Sequence, residues 1–200
     1  MHTPVSVEIR REDYHSLTDY AVVSIAYEVR EAVNALTTGA APLPLPRRVV
    51  TPAFRKDYDA IPGNHPDEWS TRFAVDRAHF ISAYSMGGRV GGAVVIVDPS
   101  DVAQLGGDPG YALVWDLRVA PEARGHGIGR ALLMAAEASV QEIGGAGIVA
   151  ETQDVNVAAC QLYARAGYVI TSIDSKAYPE LSGELQIMWS KIFEFPLPSG

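Results

Sequence analysis

The chain holds a single cysteine, Cys160, in 200 residues. An internal disulfide and a cysteine-based zinc site are therefore excluded. No apolar run is long enough to span a bilayer. The first stretch, MHTPVSVEIRRED, lacks the apolar core of a signal peptide, which makes the cytoplasm the expected location. Basic side chains are the minority: 16 Lys and Arg against 24 Asp and Glu give a formal charge of −8. That balance disfavours nucleic acid as a partner and suits the attraction of cationic small molecules or peptides. The string GxxxxGK[ST] is absent, so there is no P-loop. Nor is there an internal repeat.

What is present has ordinary globular proportions, 48% hydrophobic and 20% charged. The length suits one well-buried domain, expected over residues 1–196. VVSIAYEVR (22–30) sets Val23, Ile25, Tyr27 and Val29 on one side, which predicts a strand, although Ala21, Ile25 and Val29 also suit a helix. Residues 40–54 carry four prolines and predict a surface loop. HPDEWSTRF (65–73) suits a short helix, 78–98 a hairpin turning at Met86-Gly87-Gly88, and 98–110 a loop. In the strand predicted over 111–119, Leu113, Trp115, Leu117 and Val119 alternate against Val114, Asp116 and Arg118. Ile128, Leu132, Ala135, Ser139 and Ile143 recur at helical spacing within 127–143, and Gly144-Gly145 supplies the stop. GIVAET (147–152) reads as a short buried strand. Asp154 suits the N-cap of a helix over 155–166 closed by Gly167, and two strands follow at 168–174 and 184–193. The order is mostly β with two well-signalled helices, an α+β class with a mixed sheet.

RGHGIG (124–129) lies between a strand and a helix. Gly125, Gly127 and Gly129 give GxGxG, not the GxGxxG of a dinucleotide turn, whereas Arg124, Gly127 and Gly129 fit R-x-x-G-x-G. Without Cβ atoms, such a turn admits a ligand to the helix start, where unpaired amides and the helix dipole favour an anion. A plain chain reversal is the alternative. Downstream, Asn156 and Tyr163 stand seven residues apart, on nearly one helix face, with the small Ala159 between them. That face could line an extended ligand, or simply belong to an amphipathic helix.

Together, LRVAPEARGHGIGRALL and ETQDVNVAACQLYARAGY resemble the GNAT superfamily of acetyl-CoA-dependent N-acetyltransferases, over roughly residues 78–193. RKDY (55–58) and the run ETQ..N..AC..Y...GY are similar to streptothricin acetyltransferases. The Tyr-Pro of KAYPELSGELQIMWSK occurs also in ribosomal-protein N-terminal acetyltransferases. The resemblance implies a twisted, mostly antiparallel sheet split between its two middle strands, 111–119 and 147–152, with flanking helices. It divides the chain into acceptor-side elements (1–77) and an acetyl-CoA-binding core (78–193). The backbone of Leu117, Arg118 and Val119 would pair with the pantetheine arm. The pyrophosphate would rest on the amides of Arg124, Gly125, His126, Gly127, Ile128, Gly129 and Arg130. Asn156 would touch the pantetheine beside Ala159, and Tyr163 would stand near the sulfur.

The implied activity is direct acetyl transfer to a primary amine, on a cationic small molecule such as a streptothricin-like antibiotic. A protein N-terminus is the alternative acceptor, and a non-catalytic CoA-binding sensor the alternative from another class. Tyr163 is expected as general acid and Glu151 as base. Asp116 is the rival base, because an acid inside an apolar strand is unusual. Cys160, mid-helix among apolar neighbours, is expected to be a core thiol. Asp57 or Asp59, with Tyr58, is expected to grip the acceptor, and Asp174 and Tyr178 to form its other wall. No metal is expected, and the resemblance allows a homodimer through the last strands.

Overall fold

Runs of alternating apolar residues become strands, and the 3.6-residue repeat becomes the longest helix. The computed structural model of the protein describes residues 6–34, 36–98, 110–178 and 183–194. Its elements are β1 (Glu8–Glu12), α1 (Leu17–Ala21), β2 (Tyr27–Val33), β3 (Gly39–Ala40), β4 (Arg47–Lys56), β5 (His79–Ser85) and β6 (Gly88–Ile96). There follow β7 (Tyr111–Val119), α2 (Ile128–Glu142), β8 (Gly147–Gln153), α3 (Val157–Arg165), β9 (Val169–Asp174) and β10 (Gln186–Ile192). A short 3-10 helix, Pro66–Thr71, forms within 65–73. The loop expected over 98–110 falls on residues 99–109, outside the described residues, as does Pro179 of the Tyr-Pro pair.

Eight strands make one sheet in the order β1-β5-β6-β7-β8-β10-β9-β3, and β2 pairs with β4 in a second, two-stranded sheet. β7 and β8 run parallel. All other neighbours are antiparallel. The architecture is thus the mixed, mostly antiparallel α+β sheet expected. One face of the sheet is covered by α2, which buries Ile128, Leu132, Leu133, Ala136 and Val140. Each large aliphatic side chain so buried contributes about 1.5–3 kcal/mol of transfer free energy. The other face is covered by Tyr20, Trp69 and Phe73 from α1 and the 3-10 region, packed on Phe80, Val94, Ile96 and Leu113. Gly92 permits this cover, because a Cβ there would collide with the Tyr20 ring. Among the described residues no helix is long and apolar enough to cross a membrane.

The structure corrects four sequence expectations. The strand predicted over 22–30 begins only at Tyr27, because α1 and an irregular stretch precede it. The proline-rich 40–54 contributes β4 rather than loop alone. Its ladder breaks between Glu31↔Val49 and Val29↔Phe54, so Pro52 falls where no ladder N–H is needed. The helix predicted from Asp154 starts later, at Val157, with Asn156 as its N-cap. Asp154 is instead fully buried, held by Arg48 at 2.7 Å and the Leu185 amide at 2.9 Å. Finally, β7 does not alternate throughout. Val94 faces Asp116 and Val95 faces Val114, so Trp115 is an extra, bulged residue. Leu113 and Trp115 pack on the Trp69 side, but beyond the bulge Asp116 and Arg118 take that side. Leu117 and Val119 turn to the α2 side. The charge-rich β1 and the two-residue β3 had no period to reveal them.

The two-stranded sheet is fastened to the main one by charge as well as by packing. Lys56 is buried at the end of β4, and its Nζ reaches both oxygens of Glu184 at 2.8 and 2.7 Å. Removing one partner of such a pair strands the other. Lys56→Met is expected to lower stability by about 3–5 kcal/mol, seen as a lower denaturant midpoint at unchanged slope. The double variant Lys56→Met/Glu184→Leu is expected to recover most of that loss.

Candidate active site

The ladder between β7 and β8 covers only Tyr111↔Gly147 through Val114↔Ala150. β7 continues on β6 to Val119, and β8 continues on β10 to Gln153. Residues 115–119 and 151–153 line a cleft of about 990 Å³, together with the glycine turn, one side of α3 and parts of β2. Along the β8 side of residues 115–119 the ladder leaves main-chain groups without a strand partner among the described residues.

At one end of the cleft is the start of α2. Gly125 (φ 81°) and Gly127 (φ 82°) are in the left-handed region, and Gly127 is the N-cap. A Cβ at either would meet open space, so glycine is required there by backbone conformation. Gly129 has no such φ, and a Cβ on it would touch Leu117 and Leu162 at 3.7 Å. The first helical amide with a partner is Ala131, bonded to Gly127 O at 3.1 Å, and those before it have no helical acceptor. The Arg124 side chain is occupied, its Nε on Val119 O at 2.8 Å and one terminal nitrogen on Ser24 O at 3.4 Å. It braces the turn. Arg130 is exposed, and exposed His126 has its Nδ1 3.4 Å from Ala123 O.

From α3 the cleft receives Asn156, Ala159 and Tyr163. Asn156 Oδ1 accepts from the Ala159 amide at 3.1 Å, so its role in the helix is the cap. Tyr163 is 4% exposed, packed on Tyr168 and stacked on Trp189. Its hydroxyl has no hydrogen bond among the described residues, and it lines the cleft. Burial pushes its pKa well above the usual phenol range, and the charge of Asp116 adds to this. Cys160 is fully buried near Thr152, and burial pushes its thiol up to about 12. Such a thiol is no nucleophile at neutral pH, so the core reading of Cys160 stands.

The carboxylates divide clearly. Glu151 lines the cleft and accepts a hydrogen bond from Tyr178. Asp116 is not free. Tyr20 and Arg118 Nε hold Oδ1, and another Arg118 nitrogen holds Oδ2 at 2.9 Å. Asp59 also clasps Arg118, at 2.9 and 3.0 Å. Burial opposes the guanidinium charge, but the two carboxylates outweigh it and raise the Arg118 pKa. Asp116, the rival base of the sequence reading, thus lines the cleft with both oxygens already bonded to Tyr20 and Arg118. The Arg118 side chain stacks over Tyr20 and Trp69, and Arg118, Asp59, Asp116 and Trp69 all line the cleft.

The expected acceptor residues separate as well. Tyr58 lines the cleft, donating to Gln153 and lying 3.0 Å from the Tyr27 hydroxyl. Asp57, Asp174 and Tyr178 do not line it. Asp57 pairs with Arg55 at 3.5 Å, and Asp174 closes a turn onto the Lys176 amide at 2.7 Å. Tyr178 meets Glu151 instead. Gln153 and Tyr27 escaped the sequence reading. Gln153 had a signal, since it stands two residues from Glu151 on a strand and so shares its face. Tyr27 had none beyond its place in a strand.

A glycine turn into a helix, beside a parallel strand pair that stops pairing halfway, is a site shaped for a long anionic ligand and a second small one. Residues 47–168 match the model of the acetyltransferase (GNAT) family. The chain belongs to that family. Streptothricin acetyltransferase A of Bacillus subtilis (strain 168) is 38% identical over 82 residues, 40% of this chain. The match spans about half, 47%, of that relative's length. A crystal structure from Bacillus anthracis str. Ames, described as a streptothricin acetyltransferase in complex with acetyl coenzyme A, superposes with a TM-score of 0.71. It is 23% identical, covering 94% of this chain and 99% of that one. Nourseothricin acetyltransferase superposes at 0.67 with 22% identity, covering 93% and 98%. At these identities the two structures establish the fold.

Proposed function

We propose that the protein moves an acetyl group from acetyl-CoA to a primary amine by direct transfer, and that the amine belongs to a cationic small molecule of the streptothricin kind. The observation that carries this is the cleft where β7 and β8 stop pairing, which joins the bare amides of the α2 turn to Glu151 and Tyr163. The residues present fit acetyl-CoA. The left-handed glycine turn offers free amides to its pyrophosphate, and residues 117–119 offer strand edge to its pantetheine arm. When bound, the group supplies an activated thioester.

The chain's own residues supply the rest. An amine of pKa about 10.4 is neutral in only about one molecule in two thousand at pH 7, so a proton must be removed. Glu151 is the group in the cleft suited to take it. A main-chain N–H of the unpaired β7 edge near Leu117 stabilises the oxygen on which charge develops. Tyr163, kept protonated by burial, gives its proton to the departing sulfur.

Charge along the cleft favours a cationic acceptor. Arg124, Arg130 and Arg165 flank the α2 turn and the end of α3, whereas Glu28, Glu31, Asp59, Asp116 and Glu151 line the other walls with Arg30, Arg72 and Arg118. Arg118 is already neutralised by Asp59 and Asp116. The surplus of carboxylates over arginines on these walls draws a cation more than it draws uncharged peptide backbone. The test is a panel of amines and N-terminal peptides, streptothricin included, scored by thiol release from acetyl-CoA. Fast turnover of streptothricin is expected. Turnover of peptides alone would reassign the acceptor, and tight acetyl-CoA binding with no turnover on any amine would refute the enzyme reading in favour of a sensor.

A further inference from the structure

Glu151 is gripped from outside the cleft. Tyr178, in the segment after β9, donates to Glu151 Oε1 and does not itself line the cleft. Glu151 Oε2 has no hydrogen-bond partner among the described residues. Gln153, two residues along β8 from Glu151, is paired with Gln186 of β10, and both side chains lie near the Tyr178 hydroxyl. Gln153 Oε1 accepts from Tyr58, and the Tyr58 hydroxyl lies 3.0 Å from that of Tyr27. Because Tyr58 gives its proton to Gln153, Tyr27 is the donor between the two phenols. With Gln153 Oε1 occupied, its amide hydrogens are the end left for Tyr178. A Gln153 amide hydrogen given to Tyr178 would make the donors run one way, from Tyr27 through Tyr58, Gln153 and Tyr178 to the carboxylate. Polar groups aligned in this way polarise and strengthen one another.

We propose that Tyr178 is a positioning residue for Glu151, leaving Oε2 for the incoming amine, and that Gln153 extends this hold to Tyr58 and Tyr27 on the acceptor side. This rests on the reading of Glu151 as the base. Burial keeps Tyr178 protonated, and hence a donor, at any pH of interest. Around Glu151, β8 contributes neutral Gln153, β10 contributes neutral Met188 and Gln186, and the segment after β9 contributes Tyr178. Tyr163, Tyr58, Asp59 and Asp116 are titratable groups lining the same cleft. Asp116 and Asp59 have their charge matched on Arg118.

The test needs no acceptor. With glutamate side chains labelled in 13C, the Glu151 carboxyl is followed by NMR at one fixed pH, its resonance being the one missing from Glu151→Gln. In Tyr178→Phe that resonance is expected to shift and broaden, because the carboxylate loses its donor and samples several rotamers. Gln153→Leu, which keeps Tyr178, is expected to move it the same way by less. An unmoved resonance in Tyr178→Phe, at wild-type melting temperature, overturns the proposal. If Tyr178→Phe fails to fold, an unmoved resonance in Gln153→Leu does so. The base reading is judged separately: wild-type kcat in Glu151→Gln on the amine that turns over would sink it, whatever the resonance shows.

Discussion

Replacing Gly127 by valine is expected to weaken acetyl-CoA binding by at least ~100-fold, about 2.7 kcal/mol. Gly127 is the N-cap of α2 at φ 82°, a conformation that strains a β-branched residue by about 1–3 kcal/mol. The Cβ itself meets nothing within 4 Å, so the protein has room for it. The loss instead has two sources. Relaxing the strain swings the free amides of the turn out of line, and the branched side chain projects where the pyrophosphate is proposed to rest. Gly129→Ala is the control. Its φ is ordinary and its Cβ makes only van der Waals contacts with Leu117 and Leu162 at 3.7 Å, so the same calorimetric titration is expected to show a much smaller loss. Equal losses in the two variants would contradict the conformational explanation.

Tyr163→Phe is expected to act on the chemistry alone. Its hydroxyl has no hydrogen-bond partner among the described residues, so the substitution leaves no buried group unsatisfied and stability should hold. Acetyl-CoA affinity should hold too, because the ring still packs on Tyr168 and Trp189. Loss of a general acid is worth about 100-fold or more in kcat. The sign of the pH dependence follows from burial. A phenol whose pKa is raised keeps its proton as pH increases, so Tyr163 itself should impose no alkaline decline within the ordinary phenol range. Undiminished kcat in Tyr163→Phe, with chemistry shown to be rate-limiting, would remove the acid role.

Much of the core was legible in the sequence because its periods are local. The β5–β6 hairpin, β7, α2, β8 and the last two strands fall close to where alternation and helical spacing put them. The misses arose where tertiary structure competed with local pattern. Asp154 is a good cap by residue type, but Arg48 draws its carboxylate into the interior, and Asn156 caps instead. Proline density argued against β4, but a two-stranded sheet with a broken ladder tolerates Pro52. The bulge at Trp115 carries no sequence signature, yet it decides the site. It puts Asp116 and Arg118 on one side with Tyr20 and Trp69, where an uninterrupted strand would have set Asp116 opposite Trp115. The glycine turn, Asn156 and Tyr163 could be read from the chain because each follows local spacing. Partners such as Tyr178 on Glu151, 27 residues apart, could not.

The central claim is that one cleft holds the pyrophosphate on the α2 turn and the reacting sulfur beside Tyr163. A crystal structure of this protein with acetyl-CoA tests it most directly. The predicted result has phosphate oxygens about 3 Å from amides within residues 124–130, the pantetheine arm along residues 117–119, and the sulfur within hydrogen-bond reach of the Tyr163 hydroxyl. Acetyl-CoA bound outside the cleft, or inside it with its sulfur far from Tyr163, would contradict it.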